Sequence, residues 1–213
     1  MRNEKLLILE SSWADDDQYI SDSRSCSRIY RGVEALLSAH DAPIMTVVRP
    51  LLNCRFPRDI EEFVGLQCNK KGVNVVILAG HGRHEWVDRK GRRVHRRTIE
   101  AIDAAINISR RIRSISDKLK RTVFILDSCE IGKGVDSFRK AAGALGVLGF
   151  ATPVLWIDSV VFVLALLLRF QEQHVFMMNR TSSARPRKVL DDMKSGPYGA
   201  LMRDLKVEMA FAD

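Results

Sequence analysis

The chain is poor in cysteine and has no long uninterrupted apolar run. Its four cysteines, Cys26, Cys54, Cys68 and Cys129, form no CxxC pair and no Cys/His cluster. That excludes the usual structural zinc spacings and a dense disulfide framework, and the pattern suits a reducing compartment. The N-terminus offers one basic residue before Asn3 and the apolar run LLIL, too short for the apolar region of a secretory leader. A cytoplasmic location is the expectation. The most apolar segment, VLWIDSVVFVLALLLRF at 154–170, is interrupted by Asp158 and stops at Arg169. It falls short of the roughly 20 apolar residues a membrane span needs, so no membrane partner is expected. The segment reads as a strand end followed by a core helix.

What is present is enough for a core. A chain of 213 residues with 46% hydrophobic content can bury one domain of ordinary size. A single domain over 1–213 is expected, with a core of about 5–170 and a helical extension over about 171–213. A net charge of +8 speaks to partners and solubility, not to fold, and keeps an anionic partner in view.

Short apolar runs alternate with helical patterns. KLLILESS at 5–12, IMTVVRPL at 44–51, VNVVILAGHG at 73–82, RTVFILDSC at 121–129 and VLGFAT at 147–152 read as strands. Helical spacing fits CSRIYRGVEALLSAH from Cys26, RDIEEFVGLQCNKKG from Arg58, a long segment from Thr98, DSFRKAAGALG from Asp136 and SVVFVLALLLRFQEQ from Ser159. EWVDRKGRRVHRRT reads as a hairpin turning at Arg89–Gly91. The tail reads as a basic, processing-prone loop at 177–190 followed by helical pieces broken at Gly196 and Pro197. Strands that are continuous apolar runs belong to a mainly parallel sheet covered on both faces, so the expected class is α/β.

In such sheets chemistry collects outside the carboxyl ends of the strands. VVILAGHG ends at His81, and TVFILDSC ends at Cys129. A thiol becomes a nucleophile when a neighbouring base raises its thiolate fraction. Each residue taken singly has a plainer reading, a packing cysteine or a loop histidine. At the ends of successive expected strands, roughly 50 residues apart as in caspases, the pair is more specific.

With AGHG (Ala79–Gly82) and LDSCEIG (Leu126–Gly132), the chain resembles the caspase-like (clan CD) cysteine peptidases, especially bacterial metacaspases and CHAT domains. The resemblance implies a three-layer sandwich and peptide-bond hydrolysis without metal or cofactor. In that role Cys129 attacks the scissile carbonyl, His81 handles the proton, and the amides of Gly82 and Cys129 line the oxyanion hole. The metacaspase motif DSCHSG carries its pocket acid two residues before the cysteine, where Asp127 stands here, implying cleavage after Lys or Arg. Asp127 has a plainer reading as a strand-end cap. Asp158 lines the same pocket or caps the apolar helix, and both readings stay open. Glu130 and Ile131 depart from the motif, and a second pocket acid is not assignable among Asp15, Asp16, Asp17 and Asp22. A regulated effector in bacterial defence or cell death is the role such a domain implies, with a protein or peptide substrate and an activating small anion or partner protein.

Six cations, Arg89, Lys90, Arg92, Arg93, Arg96 and Arg97, crowd the hairpin. They form a solvated face or a site for an anion or partner. The block 89–97 contains no aromatic residue, so nucleic acid is not expected there. The rival function is a non-catalytic module that binds a nucleotide messenger or partner protein through this basic face. GKGVDS at 132–137 lacks the GxxxxGK[ST] phosphate-loop pattern.

Overall fold

The computed structural model describes residues 5–10, 29, 32, 46–47, 51–52, 64, 73–80, 82–90, 92–100, 105–106, 119–173, 175 and 183–212. For 82–89, 92–100 and the two-residue strands, what is described is backbone and register.

The chain builds β1 (Lys5–Glu10), β2 (Thr46–Val47), β3 (Leu51–Leu52), β4 (Val75–Ala79), the ribbon β5 (Gly82–Arg89) and β6 (Arg92–Glu100), and β7 (Ala105–Ile106). β8 (Val123–Asp127), a 3-10 turn (Ile131–Gly134), α1 (Val135–Ala142), β9 (Gly146–Phe150) and α2 (Trp156–Glu172) follow. The chain then forms α3 (Ala184–Ser195), α4 (Gly199–Asp204) and β10 (Val207–Phe211). Among the described residues the main sheet runs β10-β9-β8-β4-β1-β2, with β3 also pairing β1. Every pairing in it is parallel except β10 with β9.

Strands β4, β8 and β9 are buried along their whole length, because both faces of the sheet are covered. One face, carrying Leu6, Ile8, Val75, Ile77, Val123, Ile125 and Phe150, packs on α2 and α3 through Phe162, Leu166, Phe170 and Leu190. The other, carrying Leu7, Leu9, Val76, Leu78, Phe124 and Leu126, packs on α1 through Val135, Phe138 and Ala142. Edge-to-face ring pairs tie each layer to the sheet, Phe150–Phe162 at 5.9 Å and Phe124–Phe138 at 5.4 Å. The architecture is therefore an α/β three-layer sandwich on a mainly parallel sheet.

Several expectations change. Thr98 does not begin a helix: Arg92–Glu100 is strand, and Ala105–Ile106 pairs with it antiparallel. β-branched Thr98 and Ile99 suit the ladder that Gly82 and Arg83 offer opposite them. Leu51–Leu52, past Pro50, is strand as well. The strand end expected at Val154 and Leu155 is not formed: β9 stops at Phe150, 151–155 are irregular, and the apolar helix starts at Trp156. Residues 184–190 are helical instead of looped, because Pro186, Val189, Leu190 and Met193 recur at helical spacing and are buried. Pro186 is tolerated there since it lies in the first turn, where its missing N–H has no partner to lose. The tail also contains a strand: Val207–Phe211 closes the sheet edge on β9. The expected helices at 26–40 and 58–72 lie largely outside the described residues; the three positions described there, Ile29, Gly32 and Val64, are helical. No described helix is long and apolar enough to cross a membrane.

Candidate active site

The position of the site follows from strand register. β4 and β8 are parallel neighbours paired in step from Val75↔Val123 to Ala79↔Asp127. They finish at the same level, and the amide of Gly80 extends the ladder by donating to the Asp127 carbonyl at 3.3 Å. Positions 81 and 129 are each two residues beyond that last rung. His81 itself lies outside the described residues; Gly82, next in sequence, is the first residue of β5.

Cys129 is held by a sharp turn. Ser128 N–H donates to Leu126 O at 3.0 Å, and Glu130 adopts the left-handed conformation at φ 58°, ψ 4°. The chain then winds into the 3-10 turn and α1, which ends at Gly143 (φ 61°), a residue free to adopt the left-handed cap. The Cys129 thiol is free and half-buried. Its Sγ accepts the Val154 N–H at 3.4 Å and lies 3.7 Å from the Val154 carbonyl, to which the thiol donates. Glu130 N–H is committed to Thr152 O at 3.1 Å, so it is not an oxyanion donor in this arrangement.

The segment after β9 thus flanks the thiol, and the C-terminal part of the chain anchors that segment. Ala151 N–H donates to Lys206 O at 3.1 Å, and Thr152 Oγ1 to Leu205 O at 3.3 Å. Beyond Val154 the side chains turn outward: Leu155 is 71% exposed and Ile157 54%, giving the site an apolar border.

Asp127, at the last rung, is fully buried. Asp158 is half-buried in the first turn of α2, where a negative charge suits the helix dipole. It is not the helix cap: Leu155 holds that position, with no side-chain cap bond. One acid escaped the sequence reading. Glu10 ends β1 level with Ala79, so Glu10, Ala79 and Asp127 form one row across three strands, and Glu10 is also fully buried. The signal was a carboxylate closing an apolar strand; KLLILE followed by polar residues looked like the start of a loop.

The hairpin is present with its turn at Lys90, which is exposed at φ 56°. Arg89, Arg92, Arg93, Arg96 and Arg97 all lie in its two strands. Both strands lie against the 3-10 turn that follows Cys129, so the ribbon stands at the border of the site. Among the described residues no group of three His, Cys, Asp or Glu is arranged to hold a metal.

No family model matches the chain, and no curated protein matches it. Among solved structures it is similar to iotapain, a secreted C11 cysteine protease from Bacteroides thetaiotaomicron, at 9% identity and a TM-score of 0.48. The likeness covers 93% of this chain and 64% of that one. It is also similar to an inactive zymogen C11 protease from Parabacteroides distasonis, at 9% identity and a TM-score of 0.37, over 71% of this chain and 49% of that one. The chain therefore spans less than two thirds of the length of the first of these proteins and about half of the second.

Proposed function

We propose that the chain is a caspase-like cysteine endopeptidase that cleaves after Lys or Arg. The observation that carries the reading is the common level at which β4 and β8 end, with Ala79 opposite Asp127, so that the sequence places a histidine and a cysteine two residues past the same rung. In this reading Cys129 attacks the scissile carbonyl and His81 takes the thiol proton and returns it to the leaving amine. The amides of Gly82 and Cys129 hold the oxyanion. Asp127 and Asp158 receive the substrate cation, with Glu10 as the second acid in the row. Asp127 and Glu10 are both fully buried, and in this reading an incoming cation pairs with their carboxylates. Regulation by an anion or partner protein, and a role in bacterial defence, belong to the same proposal.

The test uses Arg-directed and Asp-directed electrophilic peptide probes read by intact mass. Labelling of the wild type by the Arg probe, lost in Cys129→Ala and slowed in His81→Ala, is expected. Asp127→Asn and Glu10→Gln should lose the Arg probe yet still react with iodoacetamide. Labelling that persists in Cys129→Ala would overturn the assignment of the nucleophile.

A second reading is favoured by the ribbon standing beside the nucleophile turn: a non-catalytic module in which the basic hairpin binds an anionic messenger or partner. It predicts no probe labelling under any condition.

A further inference from the structure

The helix that follows the nucleophile's neighbour Val154 is apolar on its solvent side as well as on the side that packs on the sheet. Between Asp158 and Arg169, α2 contains no charged residue. Phe162, Leu166 and Phe170 are buried in the core. Ile157, Val161, Leu164 and Leu168 recur at alternating intervals of four and three residues, the spacing that lines up side chains on one helix face. Ile157 is 54% and Val161 46% exposed, while Leu164 and Leu168 are half-buried. At the far end Arg169 pairs with Glu172 of the same helix at 2.7 Å, so those two charges are already matched. A helix that is apolar all round is ordinarily enclosed. Its open stripe is therefore a surface shaped for an apolar partner.

The position of the stripe indicates which partner. Val154 touches the Cys129 sulfur through its N–H at 3.4 Å and its carbonyl at 3.7 Å. Leu155, 71% exposed, and Trp156, 38% exposed, then carry apolar surface from that contact to Ile157. The exposed members of the stripe, Ile157 and Val161, lie at the nucleophile end, and the half-buried ones, Leu164 and Leu168, at the other. Its size argues against a second copy of the chain. From Ile157 to Leu168 the stripe is about 18 Å long and about 10 Å wide, an area on the order of 200 Å². A stable interface takes roughly 800 Å² from each partner. The stripe suits an occupant that is held at a second point, the nucleophile, and leaves after cleavage.

We infer that the outer face of α2 docks the protein substrate, with an amphipathic helix next to the scissile bond laying its apolar side along Ile157, Val161, Leu164 and Leu168. A straight seam at helical spacing is matched by a second helix whose apolar residues recur at the same spacing. The inference rests on the peptidase reading and adds a substrate class to it. The substrate is a protein whose cut site adjoins an amphipathic helix, and short peptides lacking that helix are poor substrates.

The experiment compares internally quenched peptides built around one Arg site: a short one, and versions extended on either side through a Gly/Ser linker by an amphipathic helix with Leu or Gln on its apolar face. For the full-length wild type, kcat/KM on a Leu-faced peptide should exceed that on the short peptide by about 10- to 100-fold, the effect of covering two half-exposed aliphatic side chains. The gain should lie mainly in KM, and the Gln-faced peptides should show none. The paired substitution Ile157→Ser and Val161→Ser should abolish the advantage of the Leu-faced peptide, and Ile157→Leu with Val161→Leu should keep it. Thermal melts matching the parent would show that both variants are folded. Fluorescence anisotropy of the labelled Leu-faced peptide with Cys129→Ala reads docking without cleavage. Cleavage of the short peptide with no gain from the helix would overturn the inference and leave the peptidase reading intact. Binding that the serine pair abolishes, with no peptide cleaved and no labelling by the Arg probe, would overturn the peptidase reading and the substrate role with it. A dimer seen by light scattering, or sedimentation with phosphatidylcholine vesicles, lost with the serine pair, would give the stripe another occupant and overturn the inference.

Discussion

Gly132 is where the turn after Cys129 meets the next strand. A Cβ there would lie 2.6 Å from the Phe150 carbonyl carbon and 2.8 Å from Ala151 N. Both are backbone atoms that cannot swing aside. Gly132→Ala should therefore destabilise by about 1–3 kcal/mol, the usual cost of forcing a group into a packed site. The check is a lower urea midpoint with unchanged m. Two residues earlier the expectation reverses. Glu130 sits at φ 58°, where a side chain costs about 1–2 kcal/mol. Glycine removes that cost but loosens the unfolded chain by about 0.4–1 kcal/mol. Glu130→Gly should raise stability by about 0.5–1 kcal/mol and Glu130→Val should lower it, both read from the same urea curves. At this scale the sequence was legible where chemistry is rare. A cysteine and a histidine ending apolar runs stand out, whereas Glu10 did not, because its meaning comes from β4 and β8 lying beside it.

Elements were legible where one periodicity dominated. β4 and β8 are plain apolar runs, and the hairpin announced its turn. α2 hid its orientation: SVVFVLALLL has no polar stripe, so nothing in it distinguishes the buried side from the open one. The structure does, with Phe162 fully buried against Phe150 and Val161 46% exposed. Phe162→Ala should cost about 3–5 kcal/mol, while Val161→Ala one position earlier should stay within about 0.5 kcal/mol. Comparable losses in urea denaturation would mean that the exposed side of α2 is covered in solution. α3 and β10 were misread for different reasons. The basic, proline-containing start of α3 outweighed its apolar spacing. β10 is a short strand whose partner, β9, lies far back in the chain, so only tertiary pairing reveals it.

For the molecule as a whole, β10 ties the end of the chain to the nucleophile. β10 pairs in register with the full length of β9, from Val207↔Phe150 to Phe211↔Gly146. The turn before it, with Lys206 at φ 44°, holds Ala151 and Thr152 through their bonds to Lys206 O and Leu205 O. Val154, two residues beyond Thr152, flanks the Cys129 sulfur. Removing residues 207–213 should therefore loosen the site as well as the sheet edge. With Cys26, Cys54 and Cys68 changed to Ser, Cys129 is the only thiol, and its rate of alkylation by iodoacetamide reports directly on that segment. The truncated chain should react faster than its parent under native conditions. Thr152→Val, which loses only the Oγ1 bond and about 0.5–1.5 kcal/mol, should give a smaller increase that Thr152→Ser restores. If neither truncation nor Thr152→Val changes the rate, the nucleophile turn is held by β8, the 3-10 turn and Gly132 alone, and the C-terminal strand stabilises the sheet without reaching the chemistry.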